Sequence, residues 1–211
     1  VVGVDKGTLI LYDQETRSRW SQLMGEAISG PLQGKKLVKL PSIMTTWGKW
    51  KALHPATTVY VKRSIPYDRR FTENVMALIA KAGEGPLQPN DLVVGLEGHV
   101  SAKAYVVRRL AQKRVVNDRL EGAPILVYLS SDLATARVLD RVVEGKTLTF
   151  IAAEGDRLKD QETGSLWSPM SGEALSGPLK GKRLSELVST YSLWFAWKKY
   201  RPDTVVYGGE S

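Results

Sequence analysis

The residues best able to do chemistry in this chain are carboxylates, and they come in two matching sets. Asp13 and Glu15 stand two apart in "DQETRSRW", Asp160 and Glu162 stand two apart in "DQETGSLW", and Glu26 and Glu173 each follow a glycine further on. Two carboxylates at a suitable separation, one protonated and one ionised, can cleave a glycosidic bond. A Trp face can stack on a sugar, so Asp160, Glu162 and Glu173 near Trp167 are the catalytic candidates. The competing reading has Asp cap a turn while Glu faces water. It is the favoured one, because a repeated unit needs its turn in every copy and seldom needs a catalytic site twice.

Other chemistry is sparse. There is no Cys, which excludes disulfides and thiolate metal sites. His54 stands where the second set has Arg201, and His99 lies in "EGHVSAKAY" at an expected turn. Without HxH, HxxxH or the D-x-D-x-D-G calcium pattern, no metal is expected, and no cofactor either. No G-x-S-x-G elbow occurs. The Gly-rich, basic "GEGPLQ" and "GPLKGKRL" match neither the P-loop nor the dinucleotide fingerprint and read as turns. "DQETGSLW" partly echoes the quinoprotein propeller signature, but propeller blades repeat every roughly 40 to 50 residues, far closer than these two copies.

What positions the carboxylates is a repeated framework. A shift of about 147 residues, which takes Asp13 to Asp160, brings a long block into register with roughly half of its positions identical. Trp20 falls on Trp167, Gly30 and Pro31 on Gly177 and Pro178, and Trp47 and Trp50 on Trp194 and Trp197. The retained residues are mainly turn-formers and large aromatics, so the doubled block is read as a structural unit built twice. Gly164 is expected at positive φ in a hairpin capped by Asp160; Arg17 takes its place in the first copy, where the turn must differ or be strained. "TYSLWFAWKKYRP" reads as a short helix with both Trp on one face. "APILVYL", "TARVLDR" and "KTLTFIA" read as strands, with turns at "NDRLEG" and "VVEGK".

These elements give a mainly β fold with short helices (α+β), in two related antiparallel-strand lobes, each plugged by a Trp-bearing helix. The division expected is 1–82 for an incomplete first lobe plus a connecting helix, 83–91 for a linker, and 92–211 for the more complete second lobe. The connecting helix is "FTENVMALIAKAG", with Thr72 as N-cap and Gly83 as its stop. Counting back by the same shift, only "TLTFIA" has a counterpart, the opening "VVGV". A sheet edge in the first lobe is therefore expected to be exposed or covered by a partner.

The chain has 211 residues and a net charge of +8, which favours anionic partners. Its basic runs are interrupted by apolar residues, as on the solvated faces of packed elements, and no nucleic-acid motif accompanies them. Nucleic acid is not an expected partner. No apolar run reaches the roughly 20 residues of a spanning helix, and "VVGVDKG" lacks the start of a signal peptide.

The order "DLVVG", "KAY", "VVND", "GKTLTF", "DQETGSLW", "GEALSGPLKG", "WFAW" and "RPDTVVY" resembles the bacterial and archaeal domain-of-unknown-function family three-one-seven-nine over nearly the whole chain. The resemblance implies no activity. It implies an exported or membrane-anchored protein, hence an extracytoplasmic address. Two departures stand out: the family's Cys-Pro-containing block in the first repeat is absent, and Val106 replaces the usual Pro after "KAY". The expected function is a non-enzymatic extracytoplasmic binding or scaffold protein, an accessory subunit of a membrane-associated complex whose partners are other protein subunits. An enzyme acting on a glycan through Asp160, Glu162 and Glu173 is the first alternative, and a binder of anionic surfaces such as acidic lipid is the second.

Overall fold

A computed structural model describes residues 2–5, 7–61, 73, 77 and 87–209. Apart from Glu73 and Ala77, the helix expected over "FTENVMALIAKAG" lies outside these residues, as does the first part of the 83–91 linker. The fold is mainly β, with several antiparallel sheets and short helices. The chain forms two compact units: Val1–Leu40, Pro66–Asp91 and Ser192–Thr204 make one, and Pro41–Ile65, Leu92–Tyr191 and Val205–Ser211 the other.

The first unit holds an antiparallel meander, β1 (Gly3–Asp5), β2 (Thr8–Tyr12), β3 (Arg19–Ser21) and β4 (Glu26–Ser29), in sequential order. Under the sequence shift Gly3 corresponds to Phe150. In the structure, however, Gly3 pairs with Ile10, whereas Phe150 pairs with Asp160. The hairpin before the Asp13 turn thus has its own register.

In the second unit β5 (Leu92–Glu97) and β6 (Ala102–Val106) form a hairpin, followed by helix α2 (Val107–Leu110). A three-stranded sheet of β7 (Val115–Leu120), β8 (Ala123–Leu129) and β9 (Ala136–Asp140) comes next, then the small hairpin β10 (Val142–Val143) and β11 (Lys146–Thr147). A second meander follows: β12 (Phe150–Ala153), β13 (Arg157–Asp160), β14 (Leu166–Trp167) and β15 (Ala174–Ser176). The chain returns through β16 (Thr190–Leu193) and ends in β17 (Val205–Val206), which adds in parallel to β6.

The β7–β9 sheet is central because both of its faces are covered. Leu126, Tyr128 and Leu139 on one face join Phe150, Leu158 and Trp167 of the second meander in one apolar core. Ile125, Val127, Leu129 and Val138 on the other face pack with Val94 and Tyr105 of the β5–β6 hairpin. A strand buried on both faces reads as a continuous apolar run, which is why "APILVYL" does not alternate. Asn117 ties this sheet to the meander, donating from Nδ2 to the Phe150 carbonyl at 2.8 Å and accepting the Phe150 amide at 2.8 Å.

Several expectations need correction. "NDRLEG" is not all turn: strand β7 runs to Leu120, and the bend is confined to Glu121 and Gly122, both at positive φ. "TYSLWFAWKKYRP" is a strand and then a helix, since Thr190–Leu193 is extended and only α3 (Trp194–Tyr200) is helical.

The plugging helices also differ from expectation. Helix α3 buries Trp194, Phe195, Ala196 and Trp197, whereas its counterpart α1 (Trp47–Leu53) buries nothing. The helices are also exchanged between copies. Within the first unit, the Tyr200 hydroxyl of α3 lies 2.8 Å from Thr8 Oγ1, donates to the Asp5 carbonyl at 3.1 Å and accepts from Ser21 at 3.3 Å, all on the first meander. Within the second unit, Lys49 of α1 pairs with Asp132 at 2.8 Å and reaches Asp156, in the β12–β13 loop, at 3.8 Å.

Candidate functional site

The turn after β13 is built from one carboxylate outward. Asp160 accepts the Thr163 amide at 2.6 Å and the Thr163 hydroxyl at 3.0 Å, and its other neighbour is the Trp167 indole N–H at 2.8 Å. Thr163 Oγ1 sits 2.7 Å from Ser165 Oγ, which accepts the Leu179 amide at 3.1 Å. One chain of polar groups therefore links the buried Trp to the turn and the turn to the "GPL" bend.

The first copy repeats this network. Asp13 accepts the Thr16 amide at 2.5 Å and the Trp20 indole at 2.9 Å, Thr16 Oγ1 lies 2.7 Å from Ser18 Oγ, and Ser18 accepts the Leu32 amide at 3.0 Å. Arg17 takes φ 61° where Gly164 takes 74°, so the turn is kept and Arg17 carries the strain of a left-handed L-residue. Gly30 and Gly177 are needed for a second reason: a Cβ on either would lie 2.7 Å from the Cα of Ser18 or Ser165.

The electrostatics suit structure better than acid–base work. The Trp20 indole and the Thr16 amide hold Asp13 down at about 2. Burial opposes ionisation of Asp160, but the Trp167 and Thr163 donors outweigh it and its carboxyl lies below the usual range. For Glu162 too burial is the largest influence, overcome by the hydrogen bond from the Thr149 amide at 2.8 Å, and the net shift is downward. Glu173 binds Arg183 at 2.6 Å, as Glu26 faces Lys36 at 3.7 Å. Each candidate carboxylate thus has a different partner, and neither Asp160 nor Glu162 is held protonated as a general acid would be. Trp167 is wholly buried, edge-on to Phe150 at 5.8 Å, with no face for a sugar.

A second polar cluster was not singled out by sequence reasoning. Asp118 Oδ2 accepts the Tyr105 hydroxyl and the Lys103 ammonium, each at 2.7 Å, and Oδ1 accepts the Arg119 amide at 2.7 Å. Tyr207 stacks on Tyr105 at 5.2 Å, beneath the Lys103 ammonium. Burial, then the bond to Asp118, pushes Tyr105 up and keeps it protonated. The signal was available: "KAY", "VVND" and "VVY" are three of the motifs that carry the family resemblance, and the fold brings them together. Chemically the cluster is a closed ion pair capped by two aromatic rings, partly open at Lys103.

His54 packs against the Trp50 ring at 4.2 Å, and the His99 amide donates to Glu121. Among the described residues no group of three His, Cys, Asp or Glu could hold a metal.

Fold and site together define an antiparallel β protein stapled by two Asp-Thr-Ser-Trp turns. The chain belongs to the DUF3179 family of proteins of unknown function, whose model matches residues 5–204. No curated protein and no solved structure matches it.

Proposed function

We propose that this chain is a non-enzymatic binding module that works outside the cytoplasm as an accessory subunit of a membrane-associated assembly. A contrast between the two copies carries the reading. Trp194 is 4 % exposed and its counterpart Trp47 is 50 % exposed, in the same unit as Val59, Tyr60 and Val61, which also face solvent. Apolar surface concentrated in this way marks an interaction site on a soluble protein. The engagement of Asp160 by its turn, of Glu162 by the Thr149 amide and of Glu173 by Arg183 supports the same reading. The extracytoplasmic address rests on the family resemblance.

Native mass spectrometry of the protein purified gently from its source tests this. The expected result is a stable complex with other subunits that is lost in Trp47→Ala. A free monomer whose glycan-cleaving activity disappears in Asp160→Asn, with the fold intact, would sink the proposal.

A further inference from the structure

We propose that Thr58–Val61, following α1, is an acceptor edge for a β-strand supplied by another polypeptide: an extended, acidic segment bearing an aromatic residue, which adds in parallel beside it. This rests on the binding-module reading and names its partner's chemistry.

The chain itself shows what such an edge takes. In both copies the helix leads into the following segment by the same route. Trp50 donates to Thr57 Oγ1 at 3.1 Å, and Trp197 donates to Thr204 Oγ1 at 2.9 Å. His54 and Arg201 end their helices at φ −128°, ψ 72° and φ −129°, ψ 71°. The Thr57 amide returns to the His54 carbonyl at 3.0 Å, as the Thr204 amide returns to Arg201 at 3.1 Å. Beyond this point the copies differ in what lies beside them. Val205 and Val206 pair in parallel with Lys103 and Ala104, the Tyr207 amide donates to the Ala104 carbonyl at 2.9 Å, and the Tyr207 ring stacks on Tyr105. Their counterparts Thr58, Val59 and Tyr60 have no strand beside them among the described residues, and Tyr60 is 88 % exposed. Backbone that has no strand beside it among the described residues and carries exposed apolar side chains is a place for strand addition.

Charge selects the occupant. From Pro41 to Val61, within the second unit, the chain carries two lysines and no acidic residue. In the second copy the counterpart of Ala56 is Asp203. Lys49 is answered by Asp132, but Lys51 spends its ammonium on the Thr57 carbonyl and the Trp47 ring, which supply no countercharge beside the edge. A basic segment would be repelled there and an acidic one drawn in. An aromatic two residues along from the partner's first paired position would meet Tyr60 as Tyr105 meets Tyr207.

The test uses the whole chain and two synthetic peptides, acetyl-Glu-Ala-Glu-Ala-Tyr-Val-Glu-amide and its Lys-for-Glu counterpart, with amide hydrogen exchange read at residues 58–61. The acidic peptide is expected to slow exchange of the Tyr60 amide by about ten-fold or more at saturation and the basic one to leave it unchanged. Tyr60→Pro, which removes the donor at an exposed position, abolishes the effect, and Tyr60→Phe, which keeps donor and ring, retains it. No protection by the acidic peptide at millimolar concentration overturns the proposal. So does equal protection of residues 37–61 in the parent and in Tyr60→Pro by phosphatidylglycerol vesicles, which would make a lipid surface the occupant. If the peptide fails while the native complex is still lost in Trp47→Ala, strand addition falls and the binding module stands. If that complex never forms, the binding-module reading falls.

Discussion

At the scale of single residues, the unit that matters is Asp160 with its donors. Asp160→Ala leaves the Trp167 N–H buried without an acceptor, and the loss of a charge-assisted bond plus an orphaned donor costs about 3 kcal/mol. Urea unfolding should show this as a drop in midpoint, and the same change at Asp13, beside the half-buried Trp20, should cost clearly less. The strained turn gives a second prediction. Gly164→Ala forces an L-residue to φ 74°, where its Cβ meets only the end of Lys159, so the cost is backbone strain of about 1 kcal/mol. Arg17→Ala at φ 61° has already met that strain and should lose only the contact of Arg17 with the Tyr12 ring. Gly164, Asp160 and Trp167 were legible from the sequence because turn geometry and aromatic bulk restrict residue type. Thr163 and Ser165 were passed over, although both are repeated, because a hydroxyl in a turn is compatible with many roles until its partner is seen.

At the scale of elements, the sheets follow their sequence patterns where burial is one-sided or complete. Strand β8 covers the whole of "APILVYL", since a central strand tolerates only apolar residues. The β7 strand was misread at "NDRL" because Asn117, Asp118 and Arg119 resemble turn formers. Each instead has a fixed partner: Asn117 on the Phe150 backbone, Asp118 on Lys103 and Tyr105, and Arg119 on the Gly122 carbonyl at 2.6 Å. Tertiary partners of this kind are invisible to local propensity. Lys103→Met tests the β6–β7 link. With the ammonium gone, Asp118 keeps the Tyr105 hydroxyl and the Arg119 amide, so the loss should be about 1 to 2 kcal/mol in urea midpoint, and smaller than that of Asp118→Ala, which strands both Lys103 and Tyr105.

At the scale of the whole molecule, stability should fall at both ends of the pH range. Asp13 and Asp132, the latter held down by Lys49 and Ser130, both lie at about 2 in the fold, below the unfolded value. Their contribution is present above about pH 4 and is lost as pH falls toward 2, because the unfolded chain binds the proton first. Burial raises Tyr105 and pushes Tyr191 up to about 12. Their contribution is whole below about pH 10 and declines above it, as the unfolded chain releases protons that the fold retains. Thermal melts from pH 2 to 11 should therefore trace a plateau with two shoulders, and Tyr105→Phe should flatten the alkaline one. The exchange of helices was not legible at this scale. Repeat spacing fixes what each copy contains, but which meander a helix joins is settled by contacts such as Tyr200 with Ser21 and Lys49 with Asp156.

The six tryptophans fall at matched places in the two copies but in unmatched surroundings. Trp167, Trp194 and Trp197 are buried, while Trp20 and Trp50 are half-buried and Trp47 is half exposed. An aqueous quencher such as acrylamide or iodide should consequently divide the emission into an accessible, red-shifted fraction from the first copy and a protected, blue-shifted one from the second. Whatever comes to cover Trp47 would shift light from the first fraction to the second, so the chain reports its own occupancy without an added label.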